Sequence, residues 1–258
     1  MIFYFSGTGN TRWAAQQLSN ATGEPLAFIP DLMTESNFRI ELKDGEKLGF
    51  CFPVHGWRPP RNVRAFIKRL TVKHTGEYYC FALCTTGDNV GETMKIFEKD
   101  LNSRQICLDS AFSLIMPESY VGLPFMDVDK PEKEKKKKET ARYELEGIIR
   151  NIKEEKKGVR QLTIGRWPRI NSRLIGSFFL KYLITDTPFH VIKKHCIKCG
   201  VCARVCPVNN IEGGKDQYPV WKHNETCLTC FACYHYCPQK AVQFGQRTKH
   251  KGQYYYKP

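Results

Sequence analysis

The chain lacks an apolar run long enough to cross a membrane. Its longest, Leu174 to Ile184, covers 11 residues and includes Lys181, whereas a spanning helix needs about 20. The opening residues, Met1-Ile2-Phe3-Tyr4-Phe5, carry no basic leader, no apolar segment of signal length and no small-residue cleavage site. Secretion is therefore not expected, and the cytoplasm is the expected location. No Gly-Lys-Ser/Thr follows the glycines near the N-terminus, which excludes a nucleotide P-loop. Gly7 and Gly9 are followed by Arg12 where the dinucleotide fingerprint places a third Gly or Ala, so that motif is excluded too. No Ser/His/Asp or Cys/His arrangement demands a catalytic role, and no second dinucleotide site is available for NAD(P)H. No catalytic residue is assigned.

What is present is a chain of 258 residues, 41% hydrophobic and 12% aromatic, enough to build a packed core. It holds 12 cysteines and a formal net charge of +14. Abundant cysteine without a secretory signal points to metal chemistry before disulfides. The charge is uneven. Residues 1–130 carry 14 Lys/Arg against 15 Asp/Glu, whereas residues 131–258 carry 26 against 11. Such asymmetry suggests two domains with different electrostatic tasks.

Apolar runs alternate with helical patterns through the first half. Strands are predicted at Met1–Phe5, Pro25–Pro30, Lys47–Pro53, Tyr78–Cys84 and Gln105–Met116. Helices are predicted at Thr11–Ala21, Arg61–Leu70, Glu92–Leu101 and Glu132–Lys157. The last offers Tyr143, Leu145, Ile148, Ile149 and Ile152 for an apolar face. Five strands interleaved with helices imply a doubly wound parallel sheet. The run Lys135–Lys138 lies among Glu132, Glu134 and Glu139. It reads as a solvated helix face, and no nucleic-acid fold signature accompanies it.

The C-terminal region contains Cys196-Ile-Lys-Cys199-Gly-Val-Cys202-Ala-Arg-Val-Cys206-Pro207 and then Cys227-Leu-Thr-Cys230-Phe-Ala-Cys233-Tyr-His-Tyr-Cys237-Pro238. The two runs share one spacing, offset by 31 residues, and form an internal repeat. Three cysteines at that spacing present three sulfurs to three corners of a cubane, and the Pro redirects the chain after the fourth. Structural zinc needs neither the third cysteine nor the trailing Pro. The pattern resembles bacterial two-cluster ferredoxins, in which the fourth cysteine of one run ligates the other cluster. That resemblance implies one 4Fe–4S cluster on Cys196, Cys199, Cys202 and Cys237, and a second on Cys227, Cys230, Cys233 and Cys206. The segment is too short to build its own core, so the clusters should supply much of its folding free energy. Cys51, Cys80, Cys84 and Cys107 fall in predicted strands and read as small buried hydrophobes.

Between the first strand and first helix lies Ser6-Gly7-Thr8-Gly9-Asn10-Thr11. A hydroxyl- and glycine-rich turn at a helix N-terminus offers backbone N–H groups and the positive dipole end to a phosphate. This loop resembles the FMN phosphate loop of flavodoxins, whose sheets run in the order 2-1-3-4-5. The resemblance implies a second flavin loop after the third strand, at Pro53, Val54, His55, Gly56 and Trp57, with Trp57 able to stack on the flavin. A further loop after the fourth strand would contribute Thr86, Gly87 and Asp88. Trp13, just inside the first helix, reads as core.

The whole chain resembles the bacterial flavodoxin–ferredoxin fusion family, typical of anaerobes. The organisation implied is a flavodoxin-like five-stranded α/β domain at 1–157 and a connector at 158–190. A small α+β bacterial-ferredoxin domain follows at 191–245, then a polar tail at 246–258. The function implied is one-electron relay between FMN and two 4Fe–4S clusters to a redox partner. The alternative is a flavin-dependent reductase of a small molecule, fed by the clusters. Residues 158–258 carry 16 Lys/Arg against 4 Asp/Glu, so the partner surface is expected to be acidic. The connector mixes basic and aromatic residues from Arg166 to Tyr182, as interfacial helices do. It is read here as an interdomain helix, with contact at a membrane surface the less favoured reading.

Overall fold

A computed structural model describes residues 1–34 and 37–257. The first half is an α/β fold on a parallel sheet. Its strands are β1 (Ile2–Tyr4), β2 (Leu26–Phe28), β4 (Lys47–Pro53), β6 (Tyr79–Thr86), β7 (Ser110–Ile115) and β8 (Arg160–Gln161). They lie in the order β2-β1-β4-β6-β7-β8. The five expected strands thus keep the expected order, and β8 adds a two-residue edge. Sequence reading missed β8, and it also missed β3 (Phe38–Leu42) and β5 (Leu70–His74). These two pair in parallel as a separate ribbon.

Helices cover both faces because both faces are apolar. On one face, α1 (Asn10–Thr22) contributes Ala14, Ala15 and Leu18, and α5 (Pro131–Lys153) contributes Ala141, Leu145, Ile148 and Ile152. On the other, α3 (Arg61–Arg69) contributes Val63, Phe66 and Ile67, and α4 (Thr93–Asn102) contributes Met94, Phe97 and Leu101. The central strands β4 and β6, covered on both sides, therefore read as nearly continuous apolar runs rather than alternating ones.

Two expectations about side chains are corrected. Tyr143 does not join the apolar face of α5: it is 78% exposed, because the buried stripe follows positions 141, 145, 148 and 152. Cys107 is exposed, whereas Cys51, Cys80 and Cys84 are buried. The strand begins only at Ser110, and before it the chain turns Ile106 and Leu108 inward and Cys107 out. The Lys135–Lys138 run is taken up locally. Lys138 pairs with Glu134 at 2.6 Å, Lys137 with Asp129 at 2.6 Å and Lys135 with Glu139 at 4.0 Å.

The second half is small and mixed α+β. Phe189–Val191 pairs antiparallel with Val242–Phe244, and Ile211–Glu212 with Val220–Trp221. Two single-turn helices, Val201–Arg204 and Ala232–His235, follow the third cysteine positions' approach loops. Its core is aromatic: Phe231 contacts Phe189, Phe244 and Tyr120 with ring centroids 5.3, 5.1 and 5.4 Å apart.

Between the halves, the connector forms one helical stretch. It comprises a π-helical segment Ile170–Ile175, one α-turn Gly176–Phe178 and a second π-helical segment Phe179–Leu183. Among the described residues, no helix is long and apolar enough to cross a membrane. Of the segment 246–258, expected as a polar tail, the described residues 246–257 fold back over the first half. Tyr254 and Tyr256 are buried there, Tyr256 N–H donates to Thr8 O at 2.8 Å, and Tyr254 Oη donates to Asn10 Oδ1 at 2.5 Å.

Candidate functional site

The internal repeat is visible in the backbone as well as in the cysteines. Lys198 and Thr229, Gly200 and Phe231, and Asn209 and Lys240 are each separated by 31 residues, and all six have positive φ. The left-handed turns thus recur at matching places in the two runs. Gly200 adopts φ 70° at no steric cost. Its counterpart Phe231 adopts φ 57° although it carries a side chain, and only 1% of it is exposed. That strained backbone persists because the ring is the hub of the aromatic core.

Cys196, Cys199 and Cys202 line one cavity together with Cys237, which belongs to the other run. In the reciprocal grouping, Cys206 of the first run lies close enough to Cys227, Cys230 and Cys233 to raise the cost of ionising each of them. Burial pushes the Cys202 and Cys227 thiols up to about 11 and the Cys230 thiol up to about 12. Such thiols stay protonated at neutral pH unless cations replace the protons, which is what iron at a cluster corner does. Backbone N–H groups already point at the sulfurs: Asn210 at Cys206, 3.3 Å, Thr229 at Cys227, 3.3 Å, and Ala241 at Cys237, 3.2 Å. Among the described residues, no three His, Cys, Asp or Glu side chains converge to hold a single metal ion.

The second constellation surrounds a cavity of about 470 Å³ at the C-terminal ends of β1, β4, β6 and β7, where open α/β sheets bind ligands. Of the sequence-selected loop residues, Ser6, Gly7, Thr8, Asn10 and Thr11 line it, with Pro53, Val54, His55, Gly56, Trp57, Thr86, Gly87 and Asp88. Gly9 does not; at φ 96° it turns the chain into α1, which begins with no acidic side chain and no side-chain cap. The free N–H groups of that first turn face the loop as anion donors. Hydroxyls gather beside them: Thr11 Oγ1 and Thr85 Oγ1 lie 2.7 Å apart, and Thr8 Oγ1 donates to Ser119 Oγ at 3.2 Å. Asn89 is in the same lining, with its Nδ2 donating to Asp88 Oδ2 at 2.8 Å and its buried Oδ1 turned against Gly165. His55 is half-buried, and its desolvation, with Arg61 nearby, pulls its pKa down to about 4, so it is neutral at physiological pH. The free N–H groups of the first turn, the hydroxyls beside them and the aromatic wall at Trp57 offer donors to an anion and a face to a planar ring.

Three contributors to this cavity escaped the sequence reading. One is the loop after β7, where Pro117, Glu118, Ser119 and Tyr120 form a wall. Glu118 packs so closely on the loop after β6 that a Cβ at Gly87 would lie 2.2 Å from its Oε2. Another is the connector, with Ile175, Phe178 and Phe179 in the lining. The third is the cysteine repeat itself. Cys230 lines the cavity, and a Cβ built on Gly7 would sit 2.9 Å from Cys230 Cβ. Trp13 stacks outside the cavity on Tyr256 at 5.2 Å, part of the C-terminal strap. That strap also braces the loop after β7: Lys251 Nζ donates to Val121 O at 3.0 Å and Met126 O at 2.5 Å, and Arg247 donates to Gly122 O at 3.0 Å.

Comparison with known proteins bears on the second half. Residues 190–238 match the family described as a 4Fe-4S dicluster domain, a span that contains all eight cysteines of the repeat. The chain is also similar to a ferredoxin from Megasphaera elsdenii, 52% identical over 29 residues. That alignment spans 11% of this chain and 54% of the ferredoxin, about half its length. The C-terminal region therefore holds a ferredoxin-type 4Fe–4S dicluster domain.

Proposed function

We propose that the first half is a flavodoxin-like FMN domain and that the chain relays single electrons between this flavin and two 4Fe–4S clusters. The observation that carries the reading is the contact of Gly7 with Cys230, which makes a cysteine of one cluster loop part of the flavin cavity wall. FMN takes one or two electrons and each cluster one, so the pair converts between two-electron and one-electron chemistry. Ser6–Thr11 would hold the phosphate, Trp57 would stack on the ring, and neutral His55 would avoid placing a proton-dependent charge beside it.

The proximal cluster is assigned to Cys206, Cys227, Cys230 and Cys233, and the distal one to Cys196, Cys199, Cys202 and Cys237. Exchange with a partner takes place at the distal cluster, where Ile197 is 61% exposed and Lys193, Lys194 and Lys215 are exposed around it. That rim favours an acidic partner, whose encounter rate falls as salt screens it.

An anaerobic redox titration followed by visible absorbance and EPR tests the relay. The expected result is a flavin transition and two cluster transitions in one chain, all reached from a single electron donor. Two cluster transitions without bound flavin, or a flavin that the reduced clusters do not reduce, would contradict it.

A further inference from the structure

We propose that the outward face of the connector helix seats this protein on the surface of an anionic lipid bilayer. This goes beyond the electron-relay reading and rests on different residues. The inward face of the helix is fixed by its own contacts. Ser172 Oγ accepts from the Glu92 N–H at 2.7 Å, and Arg58 Nη1 donates to Ser172 O at 2.8 Å. A Cβ at Gly176 would lie 2.2 Å from Gly56 O. None of these contacts uses the outer face.

That outer face is apolar and uncovered. Trp167, Ile170, Leu174, Phe178 and Tyr182 are 60%, 52%, 70%, 56% and 56% exposed. They recur every three to four residues along the connector, and the Phe178 and Tyr182 rings lie 4.9 Å apart. Isolated exposed apolar residues need no explanation, but a contiguous aromatic and aliphatic stripe marks an interaction surface.

Charge selects the occupant. From Arg166 to Thr185 the chain holds four Lys/Arg and no Asp or Glu. Arg173 is tied to Glu92 at 2.6 Å, while Arg166, Arg169 and Lys181 are exposed along the stripe. Arg166 and Lys181 lie over the Trp167 and Tyr182 rings at 5.5 and 5.1 Å, which puts a cation and an aromatic together at each end. A basic amphipathic helix with terminal aromatics is the pattern that lies in the headgroup region of an anionic bilayer. A second copy, with the same basic flanks, would be repelled. Ile175 and Phe178 also line the cavity, so seating would turn its mouth toward the lipid.

The test is flotation of anaerobically purified holoprotein with phosphatidylcholine vesicles, with and without phosphatidylglycerol, at low and high salt. The chain should float with the anionic vesicles, lose that binding at high salt, and remain behind with the neutral ones. Ile170→Glu with Leu174→Glu should cut the bound fraction about tenfold while flavin and cluster absorbance stay unchanged. A second variant, Arg166→Gln with Arg169→Gln and Lys181→Gln, leaves the apolar stripe intact and should lose the preference for anionic lipid. The proposal is overturned if neither lipid binds or if both bind equally regardless of salt. It is overturned as well if the stripe instead drives self-association, or salt-sensitive binding to an acidic protein without vesicle binding, that the glutamate variant abolishes.

Discussion

Residues 1–161 bury two apolar layers, one on each face of a six-stranded sheet whose last edge strand, Arg160–Gln161, lies past the expected boundary at 157. Residues 191–245 gather a much thinner aromatic core around eight cysteines and four two- or three-residue strands. The first half supplies most of the cavity wall from packed side chains and loops, and the connector and Cys230 complete it. In the second, buried thiols that resist ionisation must be held as thiolates, so folding and metal binding become one process. Charge divides the same way, near balance over the first 130 residues and strongly positive beyond them. The contrast teaches that a cavity built by side-chain packing and a metal-dependent module can share one chain when contacts lock them together. Here those contacts are Gly7 against Cys230, Arg61 Nη2 donating to Cys227 O at 2.8 Å, and His235. The His235 ring has Nε2 2.7 Å from Ser119 O and Nδ1 3.0 Å from the Tyr254 N–H. A carbonyl can only accept and an amide can only donate, so the ring is the neutral tautomer protonated at Nε2.

The largest effect that separates the halves is removal of iron. Stripping the clusters with a chelator should withdraw on the order of 10 kcal/mol from the second half, while the sheet keeps its fold. Hydrogen exchange should show residues 191–245 losing protection and β4 and β6 retaining theirs. Uniform loss across both halves would show that the first cannot stand without the second.

Next in size is Phe231. Truncation to Ala should destabilise the second half by about 3 kcal/mol through the vacated core volume. Phe231→Gly removes the same ring but also relieves the left-handed backbone, so it should be less damaging than Ala by about 1 kcal/mol. Chemical denaturation of the holoprotein followed by cluster absorbance would rank the two. The reverse order would mean that the φ of 57° carries no strain.

Gly7 sharpens the comparison at the point of contact. Gly7→Val places a branched side chain where even a Cβ has only 2.9 Å to Cys230 Cβ, so one of the two loops must move. FMN affinity should fall about tenfold, equivalent to about 1.4 kcal/mol, as read by flavin fluorescence titration. Gly147→Ala, where a Cβ meets nothing within 4 Å, should leave it unchanged.

The smallest effect concerns acid. The folded pKa of His55 is lowered to about 4 from its ordinary 6.5. The unfolded chain therefore binds more protons between those values. The stability that neutral His55 contributes is complete above about pH 6.5 and is lost as pH falls toward 4. The slope is at most about 1.4 kcal/mol per pH unit. In denaturation monitored by flavin ellipticity, His55→Gln should flatten the decline between pH 6.5 and 5. An unchanged decline would place the acid sensitivity elsewhere.

Much of this was legible in the sequence because it is local or periodic. The Ser6–Thr11 turn, the β4 run and the doubled cysteine spacing are each contained in a short window. Crossed grouping of Cys237 with the first run came through resemblance, and the cavity at Cys196, Cys199 and Cys202 brings it to the same place. What was not legible depends on long-range packing. Nothing in Gln246–Pro258 announces that Tyr254 and Tyr256 will strap the Ser6–Thr11 turn, because their partners lie some 245 residues away. The ribbon of β3 and β5 was missed although Phe38, Ile40 and Leu42 alternate with Arg39 and Glu41. Its partner strand directly continues a helix, which hides the boundary at Leu70.

The most direct test of the central claim is cofactor analysis of anaerobically purified, full-length protein by metal and sulfide determination and by flavin identification after denaturation. The account predicts about eight iron, eight sulfide and one FMN per chain. Zinc in place of iron, or a chain that keeps its clusters but binds no flavin after reconstitution, would contradict it.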